Sequence, residues 1–88
     1  MKTYRVIVYG QVQGVGFRAF IYKQARSLLL KGYVKNMSDG TVQIVLQGPE
    51  KQVKKLIELA NNGPSLSKVT NIKITEEDME AFTDFHIE

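Results

Sequence analysis

From Thr3 to Ile21 the chain reads TYRVIVYGQVQGVGFRAFI, and the change of pattern within this stretch decides the fold. Thr3 to Tyr9 is rich in β-branched and aromatic residues with apolar side chains on both faces, the pattern of a central strand. The run stops at Gly10. Gly10-Gln11-Val12-Gln13-Gly14-Val15-Gly16 then carries three glycines in seven residues, a loop whose backbone takes conformations closed to other residues. From Phe17 the period becomes helical: Phe17, Phe20, Ile21, Ala25, Leu28 and Leu29 share one stripe, with Arg18, Lys23, Arg26 and Ser27 on the other side. Gly32 is the expected end of this helix.

Working outward, Tyr33–Met37 and Thr41–Gln47 read as two strands joined through Ser38-Asp39-Gly40, where Asp-Gly favours a hairpin. In the second of them Val42, Ile44 and Leu46 alternate with Thr41, Gln43 and Gln47, which predicts one buried and one wet face. Gly48-Pro49 opens a second helix with Val53, Leu56, Ile57 and Ala60 as its stripe, closed by Asn61-Asn62-Gly63-Pro64. A strand over about 67–75 and a short one over about 82–87 complete the chain. The order is β-α-β-β-α-β plus a terminal strand. That is the ferredoxin-like α+β sandwich, an antiparallel sheet with two helices on one face and a short extra C-terminal strand.

At 88 residues, 43% hydrophobic and 24% charged, one small domain over residues 1–88 is expected, with no room for a second core. No uninterrupted apolar run approaches the roughly 18 residues of a membrane span, Leu28-Leu29-Leu30 ending at once in Lys31 and Gly32, and Lys2-Thr3-Tyr4-Arg5 puts charge where a signal peptide would turn apolar. A cytoplasmic protein without membrane partners is therefore expected, with Met1 read as an initiator and Glu88 as the close of the domain. There is no cysteine and one histidine, His86, which excludes disulfide scaffolds, zinc–thiolate sites and cysteine nucleophiles and leaves no histidine cluster for a metal. His86 itself is expected to be structural or exposed.

The net charge of +3 conceals an asymmetry. Up to Asn36 there are seven lysines and arginines and no acid; after Lys73 there are six acids and no lysine or arginine. The amino-terminal part should attract anions. The acidic run Glu76-Glu77-Asp78 lacks the alternating oxygen ligands and central glycine of a calcium loop and reads as a solvated turn.

A glycine-rich loop that leaves a strand and enters a helix turns several backbone N–H groups toward one concavity at the positive end of the helix dipole. Arg18 stands in the first turn of that helix. An arginine there opposes the dipole by about 0.3–1 kcal/mol, which a bound anion would offset, and its fork of donors suits phosphate oxygens. The two common nucleotide motifs fail: there is no G-x-x-x-x-G-K-[ST], and Gly14-Val15-Gly16-Phe17-Arg18-Ala19 lacks the acid that a dinucleotide site needs about 20 residues later. A single small phosphate is the expected ligand. The strands flanking the first helix run parallel in this plan with one strand between them, so their carboxyl ends share a rim about 10 Å apart. Asn36, near the end of the second, offers that space both a donor and an acceptor.

Together these segments resemble the acylphosphatase family. Val8-Tyr9-Gly10-Gln11-Val12-Gln13-Gly14-Val15-Gly16-Phe17-Arg18 is similar to the family's first signature, and Gly32-Tyr33-Val34-Lys35-Asn36 with Gly40, Val42 and Gly48 to its second. Leu29 departs from the glycine usual there and Ser65 from a common proline. The resemblance implies that Arg18 binds the substrate phosphate with the backbone amides of Gln13, Gly14, Val15, Gly16, Phe17 and Arg18, and that Asn36 orients the attacking water. It implies hydrolysis of acyl phosphates, releasing carboxylate and inorganic phosphate, by a monomer without cofactor, metal or phosphoenzyme. No carboxylate, histidine or cysteine lies in either motif, so the substrate's own phosphate oxygen is expected to take the water's proton. Two other readings compete. One is the acylphosphatase-like amino-terminal domain of hydrogenase-maturation carbamoyltransferases, which continues into zinc-finger segments. The other is an RNA-recognition module, which would need exposed aromatics on the central strands; Thr41–Gln47 has none, and no nucleic-acid partner is expected.

Overall fold

In the computed structural model, which describes residues 2–88, the elements run β1 (Lys2–Gln11), α1 (Phe17–Ser27), β2 (Lys31–Asn36), β3 (Val42–Gln47), α2 (Glu50–Asn62), β4 (Lys68–Asp78) and β5 (Phe85–Ile87). The sheet order is β4-β1-β3-β2-β5. The first four strands pair antiparallel, as expected, while β5 lies parallel to β2, so the sheet is mixed at that edge. β1 and β2 flank β3 and point the same way, which brings the loop after β1 and the end of β2 to one rim.

Between the helices and the sheet lies the core: Val6, Val8, Val34, Ile44 and Leu46 from the strands against Phe17, Ile21 and Ala25 of α1 and Val53, Leu56 and Ala60 of α2. Each large side chain buried here contributes about 1.5–3 kcal/mol.

Three expectations are corrected. The helix ends at Ser27, and Gly32 is not its cap. Leu29 turns into the left-handed region at φ 60°, while the Leu29 and Leu30 N–H groups donate back to the Arg26 and Ala25 carbonyls at 3.1 and 2.9 Å. This is a Schellman closure with leucine in the place that favours glycine. Gly32 lies inside β2, where a Cβ would stand 1.9 Å from the Val45 carbonyl oxygen; close approach of two strands requires it. Leu29 also leaves the apolar stripe and is 80% exposed. Leu29→Gly therefore loses almost no burial and removes the steric cost of a left-handed leucine. It is expected to stabilise the protein by about 1 kcal/mol, raising the melting temperature by about 4–8 °C in a thermal melt. An unchanged or lower melting temperature would contradict this account of the cap.

The second correction concerns β3, which is buried on both faces. On the side away from the helices the connection from β4 to β5 runs back across the sheet. Gln47 donates to Thr3 Oγ1 (2.8 Å) and the Glu80 carbonyl (2.7 Å) and accepts from the Phe82 N–H (2.8 Å). Phe82 packs edge-on against Tyr33, whose hydroxyl accepts from Gln43 at 3.2 Å. The glutamines that signalled a wet face are buried polar groups with partners inside the protein.

The third is the acidic run, which continues β4 rather than forming a turn. Glu77 pairs with Thr3 in the ladder, and its carboxylate takes two bonds from the Arg5 guanidinium at 2.6 and 3.2 Å. Those bonds from Arg5 hold the Glu77 carboxyl below its ordinary value.

Candidate active site

The loop between β1 and α1 is pinned at alternating points. Val12 and Phe17 are each 1% exposed and Val15 packs partly on the core, so Gln13, Gly14 and Gly16 are left on the outside. Gly14 and Gly16 have φ of 74° and 79°, in the left-handed region, and a Cβ on either would meet nothing within 4 Å. Their glycines thus serve the path of the backbone and leave open space before it, in contrast to the crowded Gly32.

Gly16 is the N-cap of α1, with no side-chain capping bond and no acid in the first turn. The first helical bond runs from the Phe20 N–H to the Gly16 carbonyl at 3.0 Å, so the Phe17, Arg18 and Ala19 N–H groups have no partner within the helix. An uncapped, uncompensated helix start favours negative charge through its electrostatics.

Arg18 projects from this turn, half-buried, and its Nη1 donates to the Glu88 main-chain oxygen at 3.0 Å. That oxygen is positioned by β5: the Glu88 N–H donates to the Val34 carbonyl at 2.8 Å, extending the parallel pairing with β2. Among the described residues no carboxylate side chain forms a salt bridge with Arg18, and the bond to Glu88 engages only Nη1, so most of its five N–H donors remain available.

Arg18, Gly14, Gly16, Phe17 and Asn36 line one cleft of about 210 Å³, below the usual range for drug-sized ligands and suited to a small one. Val12, Ala19 and Ile87 complete its wall. The topology that predicted Asn36 at the rim is the one observed. Asn36 Oδ1 is buried and accepts no hydrogen bond from the protein. A half turn about Cβ–Cγ, a broad two-fold torsion, exchanges it with the NH2 group, and no internal bond to the oxygen opposes that turn.

The side chains of Gln13 and Val15, whose backbone amides were the groups expected in the cradle, turn elsewhere: Val15 packs on the core, and Gln13 reaches to the β2–β3 connection. Ile87 was missed because its place depends on the parallel addition of β5, for which local sequence carries no signal. His86 is outside the cleft, between Glu88 (3.0 Å) and Asp84 (3.4 Å), whose carboxylates raise its pKa. Among the described residues no three His, Asp or Glu side chains gather as a metal site, and no helix is long and apolar enough to cross a membrane.

A ferredoxin-like sandwich whose first strand–helix connection lines a small cleft with an arginine and an asparagine is the class these observations define. A family model described as Acylphosphatase matches residues 4–87. An acylphosphatase of Methanocella arvoryzae is 51% identical over 76 residues, covering 86% of each chain. The crystal structure of acylphosphatase from Bacillus subtilis superposes with a TM-score of 0.96 at 45% identity, over 100% of this chain and 99% of that one. Full-length HypF, in its phosphate- and nucleotide-bound form, gives a TM-score of 0.89 at 39% identity over all of this chain but only 12% of its own. The chain belongs to the acylphosphatase family of hydrolases.

Proposed function

We propose that this chain hydrolyses acyl phosphates by direct attack of water on phosphorus, with Arg18 and the backbone amides from Gln13 through Arg18 holding the phosphate and Asn36 holding the water. The reading rests on one observation above all: the uncapped start of α1, the Arg18 guanidinium and Asn36 line a single cleft.

The chemistry follows from those groups. The amides and Arg18 take up charge as it shifts over the three non-bridging oxygens, and they are already oriented, so little reorganisation is needed in the transition state. The water donates one hydrogen bond to the Asn36 carboxamide oxygen and the other to a phosphate oxygen. As its oxygen bonds to phosphorus, the P–O bond to the acyl group breaks, the carboxylate leaves, and the second proton passes to the phosphate. Carboxylate is a good leaving group, so positioning and charge stabilisation suffice without a protein base. The same reading takes the 1–88 domain to work as a cytoplasmic monomer, without metal, on a small substrate and not on nucleic acid.

Hydrolysis of benzoyl phosphate in ¹⁸O-water is expected to place the label in inorganic phosphate, at a rate unaffected by chelator. Label in benzoate would move the attack to the carbonyl carbon, and abolition of turnover by chelator would put a metal in the mechanism.

A further inference from the structure

The Gln13 side chain belongs to the phosphate loop by position yet bonds elsewhere. Its Nε2 donates to the Met37 carbonyl at 2.8 Å and the Thr41 carbonyl at 2.9 Å. Those two carbonyls also close the hairpin: the Met37 N–H donates to the Thr41 carbonyl (2.8 Å) and the Gly40 N–H to the Met37 carbonyl (3.1 Å). A carbonyl oxygen has two lone pairs, and the two protons of one carboxamide nitrogen fill the second on each.

Within the turn, the Asp39 carboxylate accepts from the Thr41 N–H (3.0 Å) and hydroxyl (2.6 Å), which fixes the local shape of the turn without Gln13. Among the described residues, Gln13 is the one side chain from outside residues 37–41 that bonds to this turn. What Gln13 adds is therefore the placement of the turn relative to the loop. Met37 follows Asn36 directly, and residues 14, 16, 17 and 18 of the loop and helix start face Asn36 across the cleft.

We infer that the Gln13 carboxamide is a positioning residue, a tie that sets the distance between the phosphate cradle and the Asn36 that holds the water. The inference rests on the roles proposed above for the loop amides, Arg18 and Asn36. It predicts a particular kinetic signature. The cradle is made by the loop and α1, so phosphate affinity does not depend on the tie; the alignment of water with phosphorus does, and a misplacement near 1 Å costs on the order of a hundredfold in rate.

The test uses Gln13→Met, close in shape but with no donor and no added charge, read beside the smaller Gln13→Ala, each alone and combined with Asn36→Ala. Expected for both is a fall in kcat of about tenfold to a hundredfold. The inhibition constant of inorganic phosphate should stay within about twofold, and the combination with Asn36→Ala should be no slower than Asn36→Ala alone, as for residues acting as a unit. An unchanged kcat in the Gln13 variants would overturn the inference. So would an equal slowing in the Asn36→Ala background, or a loss of phosphate binding matching the loss of rate, since Gln13 would then act on the cradle or on the fold. If Asn36→Ala alone turned over at full rate, the underlying assignment of the water would fail, a result separate from any Gln13 measurement.

Discussion

Replacing Arg18 by alanine is expected to lower kcat/KM for benzoyl phosphate by about 10³-fold or more, roughly 4 kcal/mol of transition-state binding, and to weaken inhibition by inorganic phosphate as well. The size of the effect comes from the setting of the guanidinium. It is half-buried, bonded through one nitrogen to the Glu88 main-chain oxygen, and stands at a helix start whose own polarity repels it. A guanidinium kept there with most of its donors unengaged gains both Coulomb energy and directed hydrogen bonds when it meets a phosphate. Arg18→Lys should recover little of this, because a single ammonium cannot span two phosphate oxygens while also holding the Glu88 oxygen. Steady-state kinetics with phosphate as inhibitor measure both quantities, and a loss below tenfold in kcat/KM would remove Arg18 from the site.

Asn36→Ala is the complementary case. It takes nothing from the phosphate cradle, so phosphate inhibition should stay near its original strength while kcat falls by about 10²–10³-fold. The pattern distinguishes a group that meets the nucleophile from one that meets the substrate. The folded structure should tolerate the change, since Asn36 Oδ1 has no hydrogen bond within the protein to lose. An Asn36→Ala enzyme with normal kcat, or one that binds phosphate as poorly as the Arg18 variant, would contradict the division of labour.

Much of this was legible in the order of residues, and the exceptions share a physical cause. The loop was readable because its signal is local: glycines at Gly14 and Gly16 answer to backbone torsion, and Arg18 follows in the first turn of a helix announced by Phe17 and Ile21. Asn36 was reached through topology, because a split βαβ plan places the ends of β1 and β2 on one rim, with one strand between them, whatever the side chains are. What escaped depended on distant chain segments. Gln43 and Gln47 look solvent-facing until residues 80–82 and Tyr33 cover them. Glu77 looks like part of a turn until β4 runs the full length of β1 and brings it to Arg5. Leu29 has the apolar character of its helix face, yet the chain must reverse there to enter β2, and the left-handed turn carries the side chain into solvent. Ile87 and the Gln13 tie belong to the same group, each fixed by pairing across the molecule.

The central strand β3 has consequences for how the molecule moves. Enclosed above and below and bonded on both edges, it belongs to the part of the protein whose amides exchange only when the whole domain unfolds. The loop between β1 and α1 is joined to that frame by the buried Val12 and Phe17 and by the exposed Gln13 carboxamide, so its outward-facing amides are expected to exchange before those of β3. A ligand meets the rim first, and the spacing between the two halves of the cleft is set by strands paired within the buried frame.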